Sequence, residues 1–253
     1  MITIATEALT PKFLAGLPLQ RVQQRSQYLN MLIYGESGVG KTTLAGSADA
    51  VPDMRPVLFV DIEGGTESLR AQYPSVETVR VMTWKEMQQV YDELHRGKHG
   101  YQTIVLDSLT EIQKFNMYNI MGELVKVRPD LDPDVPGMRE WGKNLEQIRR
   151  FVRGFRDLPM HTIFTALEVS DKNDRTGEVK LNPMLSGKLK GEIPAFLDIV
   201  VYFFMKKVND EMVRAILCQK TDSHVAKDRT GRLPRTIAKP TMQEIYKYTN
   251  IGD

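Results

Sequence analysis

The chain has one cysteine, Cys218, in 253 residues. A single thiol forms no internal disulfide, and its rarity fits a reducing compartment, so a cytoplasmic protein is expected. Long apolar runs are absent as well. Nothing approaches the roughly 20 residues of a membrane span, and no membrane partner is expected. The opening stretch, Met1-Ile2-Thr3-Ile4-Ala5-Thr6-Glu7, lacks the basic segment and apolar core of a secretion signal. Nor does one sign of charge dominate. Lys and Arg number 34 against 32 Asp and Glu, a formal net charge of +2. Overall charge therefore says nothing about nucleic acid, and only local basic clusters would attract it. Internal repeats and low-complexity tracts are missing too. The composition is otherwise ordinary: 42% hydrophobic residues build a core, and 26% are charged. The length suits one large α/β domain or two small ones.

Against this background one stretch stands out. Gly35-Glu36-Ser37-Gly38-Val39-Gly40-Lys41-Thr42 fits the P-loop pattern G-x-x-x-x-G-K-[ST]. A phosphate chain needs several N–H donors converging on it, and glycines let the backbone approach with no Cβ in the way. The following helix begins with unpaired N–H groups, and Thr43 extends the cradle. Lys41 would reach the β- and γ-phosphates, and the Thr42 hydroxyl would bind Mg²⁺. A Gly-rich turn without function is the bland alternative. The apolar run Leu29 to Tyr34 before the loop, and the helix-like Thr42-Thr43-Leu44-Ala45 after it, supply the strand–loop–helix context that favours ATP binding.

Residues 1–28 read as an N-terminal arm broken by Pro11, Gly16 and Pro18, and 29–253 as the catalytic core. Within the core, Val57 to Val60 is a short apolar strand ending in Asp61 and Glu63, and Thr103 to Asp107 is another ending in an acid. Val76 to Met82 and His161 to Leu167 read as further strands. Trp84 to His95, Ser108 to Val127 and Met138 to Leu158 read as helices, the last with an arginine-rich face of Arg149, Arg150, Arg153 and Arg156. Three prolines and a glycine between Arg128 and Gly137 preclude regular structure. Glu168 to Gly191 reads as a long polar loop. Asp198 to Met205 and Glu211 to Cys218 read as strands joined by a turn at Asn209-Asp210, and Thr241 to Tyr248 as a closing helix. Alternating strands and helices predict a mainly parallel twisted sheet with helices on both faces. Ligands in such sheets sit at the carboxyl ends of the strands, where the P-loop, Asp61, Glu63 and Asp107 all fall.

The acids then take roles. Asp107 would hold Mg²⁺, or else only cap the helix that follows. Glu63 would activate the attacking water, or else be a solvated loop acid. Asp61, closer to the strand, reads as a structural group.

Together, Leu58-Phe59-Val60-Asp61-Ile62-Glu63, the P-loop and Ile104-Val105-Leu106-Asp107-Ser108 resemble the RecA-type recombinase ATPases. That resemblance implies a RecA-like α/β core, ATP and Mg²⁺, and Glu63 as catalytic base. Arg128 to Arg139 lies where RecA-like proteins carry their first DNA-binding loop, and Glu168 to Lys190 where they carry the second. Arg139, Lys172, Arg175, Lys180, Lys188 and Lys190 are then the candidates for DNA phosphate contact, against the alternative of a solvated charged face. Few aromatics lie there, so weak sequence preference is expected. Lys227-Asp228-Arg229 resembles the basic pair that reaches a neighbour's γ-phosphate, which implies a ring or filament of identical subunits. One-residue spacing in an extended segment places Lys227 and Arg229 on one face, whereas no arginine lies in sequence beside Lys41; a solvated basic turn is the alternative.

The chain looks most like the compact RecA-like ATPases of phages, often labelled AAA-domain proteins and associated with single-strand annealing and recombination. A single-strand-binding protein is then a candidate partner, and a phage-encoded chain would act in the host cytoplasm. The pattern departs from RecA in one place. The glutamine that senses the γ-phosphate after the fourth strand is replaced within Ile163-Phe164-Thr165-Ala166-Leu167-Glu168, leaving Thr165 or Glu168 for that role. Two other readings stay open: a helicase-loader-like or remodelling ATPase acting on protein, and a nucleotide-binding switch with negligible hydrolysis.

Overall fold

The computed structural model describes residues 13–15, 17–18 and 28–249. Of the predicted arm it describes one short pairing, β1 (Phe13–Leu14) with β2 (Leu17–Pro18); the rest of 1–27 lies outside the described residues.

The core begins with β3 (Asn30–Gly35), buried at every residue. Leu32 and Tyr34 face one hydrophobic cluster, and Met31 and Ile33 the other. Strand side chains alternate between faces, so an unbroken apolar run is what a strand covered on both sides requires. The P-loop and the short helix α1 (Lys41–Gly46) follow. Next comes β4 (Val57–Asp61), also wholly buried, and then β5 (Glu77–Arg80). Helix α2 (Trp84–His95) starts at a capping box: Thr83 Oγ1 accepts from the Glu86 N–H at 3.2 Å, and Glu86 Oε2 from the Thr83 N–H at 3.1 Å.

Strand β6 (Thr103–Asp107) leads into α3 (Leu109–Val127), and α4 (Met138–Arg156) packs against it. Asn144, Ile148, Val152 and Phe155 form the buried stripe of α4, at helical spacing. Its arginines serve the fold. Arg149 reaches Glu192 at 2.6 Å, Arg156 pairs with Asp157 at 2.7 Å, and Arg153 lies 4.3 Å over the Phe196 ring.

Beyond α4, the long polar loop expected at Glu168 to Gly191 is instead regular structure. Strand β7 (His161–Lys172) runs past Leu167, turns, and pairs antiparallel with β8 (Val179–Pro183); α5 (Leu189–Phe196) follows. Polar side chains on both faces of a solvent-exposed ribbon erase the apolar alternation by which strands are recognised. Then β9 (Ile199–Val208) and β10 (Glu211–Leu217) form a hairpin whose turn residues Asn209 and Asp210 have φ of 49° and 65°. Asn and Asp tolerate that region best after glycine. Strands β11 (Lys227–Asp228) and β12 (Thr236–Ala238) and helix α6 (Met242–Thr249) are the last of the described elements.

The main sheet runs β12-β10-β9-β3-β7-β6-β4-β5, with β11 on β9 and β8 on β7. Strands β9, β3, β7, β6, β4 and β5 are parallel. This is the RecA-like P-loop arrangement. Its decisive feature is that β7 lies between β3 and β6, so the P-loop and Asp107 face each other across one intervening strand. Among the described residues, no helix is long and apolar enough to cross a membrane.

Candidate nucleotide site

The P-loop follows the carboxyl end of β3. Gly38 and Gly40 have φ of 76° and 108°, values that side chains with a Cβ rarely adopt. Gly35 is needed for another reason: a Cβ there would overlap the Phe203 carbonyl on β9. Glu36, Ser37 and Gly38 are exposed and open to a ligand, whereas Val39 is buried. Lys41, only 8% exposed, turns its ammonium back over the loop, donating to the carbonyls of Gly35 at 3.0 Å and Glu36 at 2.7 Å. Burial pushes its pKa below the ordinary lysine value, while the charges of Asp107, Glu63 and Glu168 act to raise it. The helix behind the loop is only six residues long before it tightens into a 3₁₀ turn. Lys41 and the loop N–H groups therefore matter more here than a helix dipole.

The strand-end acids converge as the topology requires. Thr42 Oγ1 donates to Asp107 Oδ2 at 2.7 Å, and Thr165 Oγ1 donates to Asp107 Oδ1. Ser108, wholly buried, donates from Oγ to Glu63 Oε1. Glu63 itself is exposed. The turn after Glu63 is fixed by Asp61, which accepts from the Gly64 N–H at 2.6 Å and the Thr66 hydroxyl at 3.0 Å, and pairs with Arg80 at 3.1 Å. Asp61 is thus structural, and Glu63 is left pointing to the ligand edge.

With this geometry in view, a family model described as AAA domain matches residues 27–230. The chain belongs to the AAA domain family. This AAA domain is accordingly a nucleotide-binding ATPase. Two solved structures resemble it at the level of overall shape. A KaiC-like protein from Pyrococcus horikoshii is 17% identical, with a TM-score of 0.45 over 83% of this chain and 88% of that one. The flagellar accessory protein FlaH from Methanocaldococcus jannaschii is 11% identical, with a TM-score of 0.46 over 83% and 85%. No curated protein matches the chain.

The residues at the ligand edge of this AAA domain suit Mg²⁺ with ATP. Thr42 and Asp107 offer two hard oxygen ligands side by side. No cluster of three or more metal-ligating His, Cys, Asp or Glu occurs among the described residues. Mg²⁺ is commonly held by one or two protein oxygens together with substrate phosphates and water, which Thr42 and Asp107 could supply.

Of the two residues available after the fourth strand, Thr165 is engaged with Asp107. Glu168 faces Lys41, Glu36 and Tyr202. Burial raises its pKa, helped by the Glu36 charge and opposed by the Tyr202 hydroxyl and Lys41.

The basic candidates are dispersed. Lys172, Arg175 and Lys180 are exposed on the β7–β8 ribbon, where Asp171, Asp174 and Glu178 alternate with them. Lys188 is exposed just before α5, and Arg139 in the first turn of α4. Lys190 is not available as read from sequence: its ammonium pairs with Asp171 at 2.7 Å.

Lys227 and Arg229 do not reach their own P-loop. Lys227 pairs with Val200, and the Arg229 N–H donates to the Asp198 carbonyl at 2.9 Å, both at the amino end of β9, whereas the P-loop lies beyond the carboxyl end of the neighbouring β3. Lys227 Nζ donates to the last carbonyls of α5, to Leu197 at 2.7 Å and Ala195 at 3.0 Å. Arg229 pairs with Asp198 at 2.6 Å. Both side chains donate to the Ala195 carbonyl, Arg229 at 3.4 Å. An arginine does, however, lie beside the loop. Arg214 of β10 donates from Nε to the Val39 carbonyl at 2.8 Å. Sequence reading missed it because it lies 175 residues from Val39; a lone arginine within the strand Glu211 to Leu217 was the available signal.

Proposed function

We propose that this AAA domain is a Mg²⁺-dependent ATPase acting on single-stranded DNA. One observation carries the hydrolytic half: Glu63, held by the Ser108 hydroxyl, stands beside the Thr42–Asp107 pair. Phosphoryl transfer needs positioned phosphates and an oriented water more than covalent chemistry. Here the P-loop and Lys41 position the phosphates, and Glu63 takes the proton of the attacking water. Bound Mg²⁺ would supply neutralisation of developing charge. A base of this kind argues against a mere nucleotide switch.

The DNA half rests on position. The ribbon β7–β8 continues the same strand that carries Thr165 and Glu168, so a change at the phosphates has a rigid path to Lys172, Arg175 and Lys180. Thr110 of α3 links the ribbon's base, accepting from the Leu167 N–H at 3.1 Å and donating to the Met184 carbonyl at 3.2 Å. Assembly into a ring or filament, with Lys227 and Arg229 exchanging their partners at the end of α5 for a neighbour's γ-phosphate, belongs to this reading, as does cooperation with a single-strand-binding protein.

ATP turnover measured with and without single-stranded DNA tests it. Stimulation is expected, with affinity falling with salt at a slope near −0.7 per phosphate contact. Substituting Lys172, Arg175 and Lys188 together with alanine should flatten that slope; an unchanged slope, or no stimulation, would refute the DNA role. One observation favours a second reading, action on a protein partner: Val135, Met138 and Trp141 are 68%, 93% and 39% exposed beside the 128–137 loop. Turnover indifferent to DNA but raised by a protein partner would select it.

A further inference from the structure

The catalytic groups lie on one flank of the P-loop, and Arg214 lies on the other. In the order β10-β9-β3-β7-β6-β4, Asp107 and Glu63 follow β6 and β4. Attack on the γ-phosphate occurs at the end of the nucleotide farthest from its base, in line with the leaving oxygen. Glu63 therefore marks the γ end, and the sugar and base leave the loop toward β9 and β10. There Arg214 stands against the loop: a Cβ on Gly40 would lie 3.0 Å from its Nε, and that Nε is fixed on the Val39 carbonyl at 2.8 Å.

Among the described residues, the rest of this guanidinium has no protein partner. Arg214 is exposed and forms no ion pair among the described residues; its nearest charged strand neighbour on the same face, Lys207, is paired with Asp210 at 2.7 Å. An arginine pinned by one N–H presents a plane of fixed orientation with four donors remaining. Two exposed methionines lie beside it on that face. Met205 is directly opposite in the β9–β10 register, and Met212 lies one step along the same face. They are 43% and 59% exposed. Methionine adapts to flat ligands through its flexible, polarizable side chain.

We propose that Arg214, flanked by Met205 and Met212, is the platform for the nucleoside end of the bound nucleotide. The guanidinium plane stacks on the base, and its free N–H groups face the sugar. This assignment rests on the ATPase reading above. It predicts that part of the affinity for ATP has nothing to do with the phosphates.

The experiment compares Mg-ATP with Mg-tripolyphosphate, which has the phosphates and no nucleoside, by calorimetric titration of the full chain. Wild type, Arg214→Lys and Arg214→Ala are titrated after melting curves establish that each is folded. Lysine keeps a donor for Val39 and loses the plane. Arg214→Lys should bind ATP about tenfold more weakly, the scale of a desolvated cation–π contact, with tripolyphosphate affinity unchanged, and Arg214→Ala should lose at least as much for ATP. Equal losses for both ligands would make Arg214 a brace of the loop or a phosphate contact and overturn the proposal. So would unaltered ATP affinity in Arg214→Ala. A wild-type chain that binds neither ligand would instead overturn the nucleotide reading itself.

Discussion

The Ser108 hydroxyl offers a direct test of how the site works. It is wholly buried and donates to Glu63, whose own carboxylate is exposed. A hydrogen bond to a charged group contributes about 1.5–3 kcal/mol net. If all of it were lost from the transition state, the rate would fall roughly 10- to 150-fold at about 1.4 kcal/mol per decade. Water reaches Glu63 and replaces part of that bond, so Ser108→Ala should lower kcat about tenfold. ATP affinity should not change, because Ser108 holds Glu63 and does not contact the P-loop. Phosphate release and nucleotide titration measure the two separately. The sharper result comes from the double variant. Glu63→Gln alone should cost roughly 10²–10⁴ in kcat, the usual contribution of a general base. In that background Ser108→Ala should cost almost nothing more, since an amide that takes no proton gains little from being aimed. The same tenfold loss in both backgrounds would mean that Ser108 acts independently of Glu63, and the reasoning would be wrong.

Three further outcomes are expected. Lys41→Ala should lose tight ATP binding, and Arg229→Ala should be nearly inactive with its own site intact; mixing them should restore part of the activity, and co-assembly without recovery would remove Arg229 from a neighbour's site. Gly35→Ala forces a methyl into the Phe203 carbonyl and should cost about 1–3 kcal/mol of stability by overpacking; an unshifted denaturant midpoint would contradict that contact. His161 accepts the Leu29 N–H on Nδ1 at 2.9 Å, and burial lowers its pKa to about 4. A depressed histidine contributes stability above its unfolded pKa near 6.5 that is lost as pH falls toward about 4, at about 1.4 kcal/mol per pH unit. Denaturant melts of wild type and His161→Gln over that window should diverge accordingly, and parallel curves would show that His161 titrates normally.

Sequence alone determined the P-loop, the apolar strands leading to Glu63 and Asp107, and the main helices. Each depends on short-range physics: positive φ at Gly38 and Gly40, apolar runs in buried strands, and apolar residues at helical spacing. Burial on both faces left the middles of β3, β4 and β6 apolar, so a layered α/β fold was legible. The ribbon β7–β8 was not, because its side chains answer to solvent on both faces and carry no period. Only the tertiary structure decided which groups meet. Placing β7 between β3 and β6 brings Thr42 to Asp107 and Thr165 to its other oxygen. The register of β10 sets Arg214 against Val39, and Asp171 neutralises Lys190. The closure at the end of α5 occupies Lys227 and Arg229. Strand order and register follow from burying two faces of the whole sheet at once, a sum over the chain that no local segment contains.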